Sequence, residues 1–127
     1  MKYMMLIHFG DAPRPRREGD TNERAVAAFE NLSEDERNGI YSAWGALNQT
    51  PGVTPGVQLQ PAETATTVRV ENGQTVTTDG PFAETKEALG GYFLFEADSL
   101  DAAVELASRI PPARMGGAVE VRPVAEY

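Results

Sequence analysis

The chain opens with a short apolar run. Residues 2–9, Lys-Tyr-Met-Met-Leu-Ile-His-Phe, are apolar-dominated on both alternating faces, and Gly10-Asp11-Ala12-Pro13 follows them. A run of this length that is apolar on both faces is typical of a central strand covered on both sides. The pattern therefore predicts a first strand over Lys2–Phe9.

Helical periodicity follows. Apolar positions form two stripes, first Val26, Phe29 and Leu32, then Ile40, Trp44 and Leu47. Asp20 with Glu23 resembles a helix start, and Ser33 with Glu36 forms a capping-box pattern. We predict two helices, or one helix kinked near residues 31–33, between about Thr21 and Asn48. Tyr41 and Trp44 are interpreted as helix-packing residues because they share a stripe with Ile40 and Leu47.

Two segments are rich in turn-forming residues. Residues 11–20 contain two prolines, a glycine and three arginines, and we interpret them as a solvated surface loop. Residues 50–56, Thr-Pro-Gly-Val-Thr-Pro-Gly, contain two Pro-Gly pairs, which favour turns over regular structure. We therefore expect an extended connector over residues 50–61.

A hairpin is predicted in the middle of the chain. The β-branched runs 64–70 and 74–78 flank Glu71-Asn72-Gly73. A three-residue loop with Gly73 in the left-handed region would place Val68 opposite Val76, whereas a two-residue Asn-Gly loop would place Arg69 there. We favour the three-residue bulged loop.

The last third predicts strand, helix and strand. Residues 89–97 alternate, with Leu89, Phe93 and Phe95 on one face and Tyr92, Leu94 and Glu96 on the other. Gly90-Gly91 predicts a bulge or the close approach of another backbone. Asp98 is predicted to cap a helix that Pro111-Pro112 ends and that carries Leu100, Val104, Ala107 and Ile110. Residues 118–124 predict the last strand.

The order strand, helices, hairpin, strand, helix, strand predicts an α+β fold. It is the order of a ferredoxin-like sandwich with an added hairpin, in which helices cover one sheet face. The length of 127 residues fits one compact domain, residues 1–127. The residues expected to face the helices are Phe93, Phe95, Val119 and Val121.

The other sheet face is predicted to be mixed. Its expected members are Met4, Leu6, His8, Tyr92, Leu94, Glu96, Glu120 and Arg122. This set is too apolar to be left in water as a broad sheet and too polar for an ordinary core. We therefore predict a homodimer in which a second subunit covers this face and leaves a partly polar cavity between the sheets.

Composition excludes several classes of function. A net charge of −8 disfavours nucleic acid and anionic membrane surfaces as partners, and the absence of cysteine removes disulfides and thiolate chemistry. With one histidine, no metal-ligand spacing and no nucleotide-binding glycine motif, we expect neither a metal nor a cofactor. Because no run approaches the ~20 apolar residues of a membrane helix and no cleavage site follows the start, we expect a cytoplasmic protein.

A few residues could carry chemistry. His8 could be a general acid or base, or a strand histidine held by a neighbour. Asp79 could stiffen its loop through an Asx-turn or present a carboxylate at a pocket mouth. Arg69, Lys86 and Arg122 could hold an anionic ligand or pair with nearby carboxylates.

Residues 79–87, Asp-Gly-Pro-Phe-Ala-Glu-Thr-Lys-Glu, followed by Leu89-Gly90-Gly91-Tyr92-Phe93, resemble the YCII-related family, and in particular its DGPF-domain branch. The start of the chain, residues 64–70 and residues 117–124 resemble the same branch. The resemblance implies a dimeric α+β barrel related to small monooxygenases and muconolactone isomerases. It also implies a His–Asp pair, here His8 and Asp79, and a link to extracytoplasmic-function sigma factors, without an established reaction.

Two hypotheses of function follow. The first is a small-molecule pocket with acid–base chemistry, in which Asp79 orients His8 and in which Tyr92, Lys86 and Arg69 or Arg122 contribute to binding a small anionic ligand. The second is a dimeric, non-catalytic regulatory module that senses a metabolite or docks on a partner such as a sigma factor.

Overall fold

The computed structural model describes residues 1–81 and 89–126. Its strands are β1 (Lys2–His8), β2 (Val53–Gln58), β3 (Thr66–Glu71), β4 (Gln74–Asp79), β5 (Leu89–Glu96) and β6 (Ala118–Pro123). Its helices are α1 (Glu23–Glu30), α2 (Glu34–Asn48), α3 (Leu100–Ser108) and α4 (Pro111–Arg114). None of the helices in the described ranges is long and apolar enough to span a membrane.

The main sheet has the order β2-β5-β1-β6, and each neighbouring pair is antiparallel. Strands β3 and β4 form a separate two-stranded ribbon. This arrangement confirms the α+β class and is compatible with a ferredoxin-like fold. The ribbon is the added hairpin. In the chain it lies between β2 and β5, which are neighbours at one edge of the main sheet.

The core lies between the sheet and the helices. Its buried members are Tyr3, Met5, Ile7, Leu47, Phe93, Phe95, Ala97, Ala103, Leu106, Ala107 and Ile110. Phe93 and Phe95 are buried as predicted, and Val119 and Val121 pack against the same cluster. The predicted inward face of the sheet is therefore confirmed.

The region between residues 21 and 48 forms two helices, one of the two predicted arrangements. The capping box at the start of α2 is present: the Glu36 amide donates to Ser33 Oγ at 3.1 Å, and the Ser33 amide donates to Glu36 Oε1 at 3.0 Å. The start of α1 was placed wrongly, because Asn22 caps it and accepts from the Ala25 amide. Asp20 does not cap α1, since its carboxylate is held by Arg14 instead.

Two predictions for α3 are corrected. Ser99, and not Asp98, caps the helix by accepting from the Ala102 amide at 3.1 Å. The predicted apolar stripe is buried only in part: Ala107 and Ile110 are inside as expected, but Leu100 and Val104 are 53% and 51% exposed, and Ala103 and Leu106 are buried instead. Small alanine side chains on the inner face let the helix lie close to the sheet.

The extended connector predicted over residues 50–61 contains regular structure that was not predicted, because Val53–Gln58 is edge strand β2 and pairs with β5. The pairing shifts register between Thr54 and Val57, where Pro55 and Gly56 lie. Proline is tolerated at such an edge irregularity because no ladder donor is required there. A Cβ at Gly56 would stand 1.8 Å from the Tyr92 carbonyl oxygen, and one at Gly91 would stand 2.9 Å from that of Val57. The predicted close backbone approach at Gly90-Gly91 is thus confirmed.

The hairpin has the two-residue loop, so the favoured three-residue loop was wrong. Arg69 stands opposite Val76 and Glu71 opposite Gln74. Asn72 and Gly73 have φ angles of 51° and 76°, so both central residues of the turn are left-handed. Asparagine tolerates this conformation, and a turn with two left-handed residues matches the twist of the strands.

Candidate functional site

A cavity of about 390 Å³ lies between the helices and the sheet. We call it the α2 cavity. The described residues that line it are Ile7, Phe9, Ala12–Pro15, Phe29, Ile40, Tyr41, Trp44, Asn48, Pro55–Gln58, Gly90–Phe93, Pro111, Pro112 and Met115. It is built from the helix-covered side of the fold, so it differs from the predicted cavity between two sheets.

Aromatic side chains from separate elements meet at this cavity. Phe29 of α1 and Tyr41 of α2 form an edge-to-face pair with ring centroids 6.2 Å apart. Trp44 packs against the core, as its interpretation as a helix-packing residue requires. Tyr41 and Trp44 also line the cavity, a role that the sequence interpretation did not assign. The helical stripe of α2 thus supplies both packing and a cavity wall.

A buried ion pair shapes the loop on one side of the cavity. Arg14 Nε donates to Asp20 Oδ2 and Arg14 Nη2 donates to Asp20 Oδ1, each at 3.0 Å. The two side chains are 10% and 1% exposed, so the interpretation of residues 11–20 as a solvated loop is wrong at these positions. Burial raises the pKa of Asp20, but hydrogen bonds from Arg14 and the Asn22 amide outweigh it and hold that pKa below its usual value of 3.8.

Arg17 holds another part of the same wall. Its guanidinium carbon lies 5.8 Å from the centre of the Phe9 ring, within the range of a cation–π contact. Its Nη1 donates to the Leu59 carbonyl oxygen at 2.6 Å, which links the loop to the segment after β2. Burial is the main cause that lowers the pKa of Arg17. Phe9, which lines the cavity, is therefore held from behind by a half-buried cation.

Comparison with known proteins assigns the family. The model of the YCII-related domain matches residues 1–127. An uncharacterized protein of Rhizobium meliloti (strain 1021) is 36% identical over 109 residues, which cover 84% of this chain and 88% of that protein. The chain belongs to the YCII-related family. The predicted resemblance is confirmed at the level of this family.

The predicted site residues that the structure describes lie at separate positions in the YCII-related chain. Tyr92 is among the residues that line the α2 cavity. His8 ends β1 beside Leu89 and Ala118, while Asp79 is exposed at the end of β4, opposite Thr66. Neither belongs to the described lining of the cavity. Their pairing as a dyad stays a prediction.

Two of the predicted basic residues, Arg69 and Arg122, also lie apart from the described lining. Arg122 Nη2 donates to Glu120 Oε2 at 2.6 Å on β6, so this arginine pairs with a neighbouring carboxylate. Arg69 is exposed on β3, and Lys86 lies outside the described residues. Within the part of the chain that the structure describes, no three His, Asp or Glu side chains are grouped to hold a metal ion.

The second face of the YCII-related sheet carries the predicted mixture of side chains. Met4 stands opposite Leu94 and Arg122, and Leu6 stands opposite Glu120. These residues alternate with the buried Met5 and Phe93, so they belong to the face away from the helices. We call it the open face.

Proposed function

We propose that this YCII-related chain is a small-molecule-binding domain whose binding site is the α2 cavity. The observation that carries the proposal is the cavity itself, about 390 Å³ and lined mainly by apolar and aromatic residues. Ligand pockets typically have volumes of about 300–1,000 Å³ and such a lining, with a few polar groups that orient the ligand. Asn48, Gln58 and Arg14 are polar residues of this kind in the lining.

The walls support binding because tertiary contacts hold them in place. The pair of Arg14 with Asp20 orders the loop, and Arg17 supports Phe9. A site that is ordered before the ligand arrives avoids part of the entropy cost of ordering side chains on binding.

The chain contains a natural reporter for the test. Trp44 is the single tryptophan and lines the cavity. We expect the uncharged dye N-phenyl-1-naphthylamine to bind and to take up energy from Trp44, and its anionic analogue 1-anilinonaphthalene-8-sulfonate to bind the same site more weakly. The double variant Ile40→Phe, Met115→Phe places larger side chains in the lining and should weaken binding by at least about tenfold, which corresponds to about 1.4 kcal/mol.

The matched control is Val104→Phe. Val104 lies on α3, is 51% exposed and is not among the described lining residues, so this variant should bind as the parent chain does. Circular dichroism checks that each variant keeps its fold. If the double variant folds and binds both dyes unchanged, the cavity is not the binding site.

We also propose that the protein is a homodimer joined through the open face. An apolar centre at Met4, Leu6 and Leu94 supports this, since broad apolar faces of sheets are normally covered. The hairpin supports it as well: Val68 and Val70 are 59% and 69% exposed, and a lone two-stranded ribbon is marginally stable in water.

Catalysis by His8 with Asp79, docking to an extracytoplasmic-function sigma factor and a cytoplasmic location stay predictions of the sequence. Binding in the α2 cavity depends on neither His8 nor Asp79, since neither is in its described lining. A His8→Ala variant that loses turnover of a bound compound but keeps its affinity would support an acid–base role. A copurifying sigma factor, without turnover, would support the non-catalytic alternative.

A further inference from the structure

We infer that the ligand of the α2 cavity is an uncharged, largely aromatic molecule, and that the cavity selects against anions. The inference rests on the proposed function and names the ligand class of the same site. It departs from the anionic ligand expected from the sequence, because the α2 cavity lies elsewhere than Arg69 and Arg122.

The charged side chain in the described lining is already paired, and Arg17, the other cation of this wall, lies behind the Phe9 ring and not in the lining. Among the described lining residues, Arg14 is the one whose side chain is charged at neutral pH. Both carboxylate oxygens of Asp20 accept from it, and the Gly10 carbonyl oxygen accepts from Nη1 at 3.3 Å. An entering anion would have to displace Asp20 or lie close to its buried negative charge. Either arrangement costs far more than placing a neutral group there.

The remaining lining favours planar apolar groups. Phe9, Phe29, Tyr41 and Trp44 come from the loop after β1, from α1 and from α2, so aromatic surface is presented from different elements. Aromatic rings pack well on one another in offset or edge-to-face geometry. A ligand with two or three fused rings suits a volume near the lower end of the range for ligand pockets.

Uncharged polar partners complete the site. Asn48 and Gln58 both line the cavity, and each carries an amide that can donate and accept hydrogen bonds. Such amides suit a carbonyl, a hydroxyl or a carboxamide on the ligand, without requiring a formal charge. The ligand class is therefore a neutral fused-ring compound with one or two such groups.

The test compares two probes of almost equal shape, 2-naphthamide and 2-naphthoate, by isothermal titration calorimetry on the full chain at neutral pH. We expect the neutral amide to bind at least about tenfold more tightly than the carboxylate. Equal or tighter binding of the carboxylate overturns the inference. If the dyes bind the parent chain and bind the Ile40→Phe, Met115→Phe variant more weakly, but neither 2-naphthamide nor 2-naphthoate binds, the ligand class is wrong and the proposed function stands. If the dyes also fail to bind, both proposals fail.

A variant of Asp20 tests whether its pairing with Arg14 causes the selection against anions. Asp20→Asn leaves the charge of Arg14 unbalanced, so the affinity ratio should move toward the carboxylate by about tenfold. Asp11→Asn is the matched control: it removes the same charge from the same loop, but Asp11 is exposed and lies 3.5 Å from Arg24. An equal shift in both variants, or none in a folded Asp20→Asn, overturns the role of the pair. If Asp20→Asn does not fold, the ratio in the parent chain decides.

Discussion

Arg14 and Asp20 form a bidentate ion pair with almost no access to solvent. The same carboxylate accepts the Asn22 amide, and Asn22 caps α1, so the pair connects the loop to the start of the first helix. A buried pair gains little over a good apolar contact, but the loss of one partner leaves a buried charge uncompensated. The pair therefore stabilises this loop conformation only while both partners are present.

Asp20→Asn is expected to lower the free energy of unfolding by about 3 kcal/mol at neutral pH. Because the folded-state pKa of Asp20 is lowered, its contribution is fully present above its usual pKa of 3.8 and is lost as pH falls through the lower folded-state value. The difference between the parent chain and the variant should therefore shrink as pH falls below 3.8. Urea unfolding at neutral and acid pH measures it, and a difference that does not change with pH would contradict this account.

The sequence identified residue types that can do chemistry but not which side chains meet. His8 stands out as the one histidine, yet the residues around the α2 cavity include Arg14, which is one of three arginines in a single loop. Burial distinguishes Arg14 from its neighbours, and burial depends on how the loop packs on the rest of the chain. The one local signal was Asp20, the acid at the end of that basic loop.

Among the elements, β2 shows how strongly tertiary contacts can override local preference. Its sequence, Val-Thr-Pro-Gly-Val-Gln, contains a turn-forming pair, yet it pairs with β5 on both sides of that pair. Strand formation depends largely on packing and cross-strand neighbours, which the local sequence does not specify. The bulge at Pro55-Gly56 is what makes the pairing possible.

Two glycine-to-alanine changes, one in β2 and one in α2, test the close backbone approach in β2. Gly56→Ala should destabilise the fold by about 3 kcal/mol or more, because its Cβ would stand 1.8 Å from the Tyr92 carbonyl oxygen. Gly45→Ala, in α2, should stabilise the fold by about 0.5–1 kcal/mol, since nothing lies within 4 Å of its Cβ. Urea unfolding measures both, and equal effects from the two changes would contradict the described path of β2.

Elements with a clear period were predictable. The strands β1, β5 and β6, both early helices and the existence of the hairpin follow from apolar spacing and turn residues. The hairpin register could not be predicted in this way, because Asn72-Gly73 suits either a two-residue or a three-residue loop, and the two loops differ by a single residue. The inner face of α3 was predicted in part: Ala107 and Ile110 are buried as expected, whereas Ala103 carries too little hydrophobic signal to compete with Leu100 and Val104.

At the scale of the whole molecule, the sheet separates two surfaces. The helix-covered face holds the core and the α2 cavity, while the open face carries Met4, Leu6 and Leu94. The proposed ligand and the proposed second subunit would therefore occupy opposite sides of one sheet.

Leu6→Glu tests the dimer at micromolar concentration by light scattering. We expect the parent chain at twice its mass of 13.7 kDa and the variant at 13.7 kDa, because a charge would be buried in the interface. Val104→Glu, an equivalent change at an exposed position on α3, should leave the mass unchanged. A monomeric parent chain would refute the dimer.

The glycines Gly56, Gly90 and Gly91 all line the cavity. A Cβ at Gly56 would stand 1.8 Å from the Tyr92 carbonyl oxygen and one at Gly91 would stand 2.9 Å from the Val57 carbonyl oxygen, so neither site has room for a side chain, while a Cβ at Gly90 would stand 2.1 Å from the Phe9 ring. The cavity surface at Gly56 and Gly91 is consequently main chain, and its shape cannot be altered by exchanging side chains at these two positions. New selectivity in such a domain would have to arise on the walls, from α2, from the arginine-containing loop or from the region of Met115. Substituting residues of those walls while keeping Gly56 and Gly91 is thus the direct route to a redesigned binding protein.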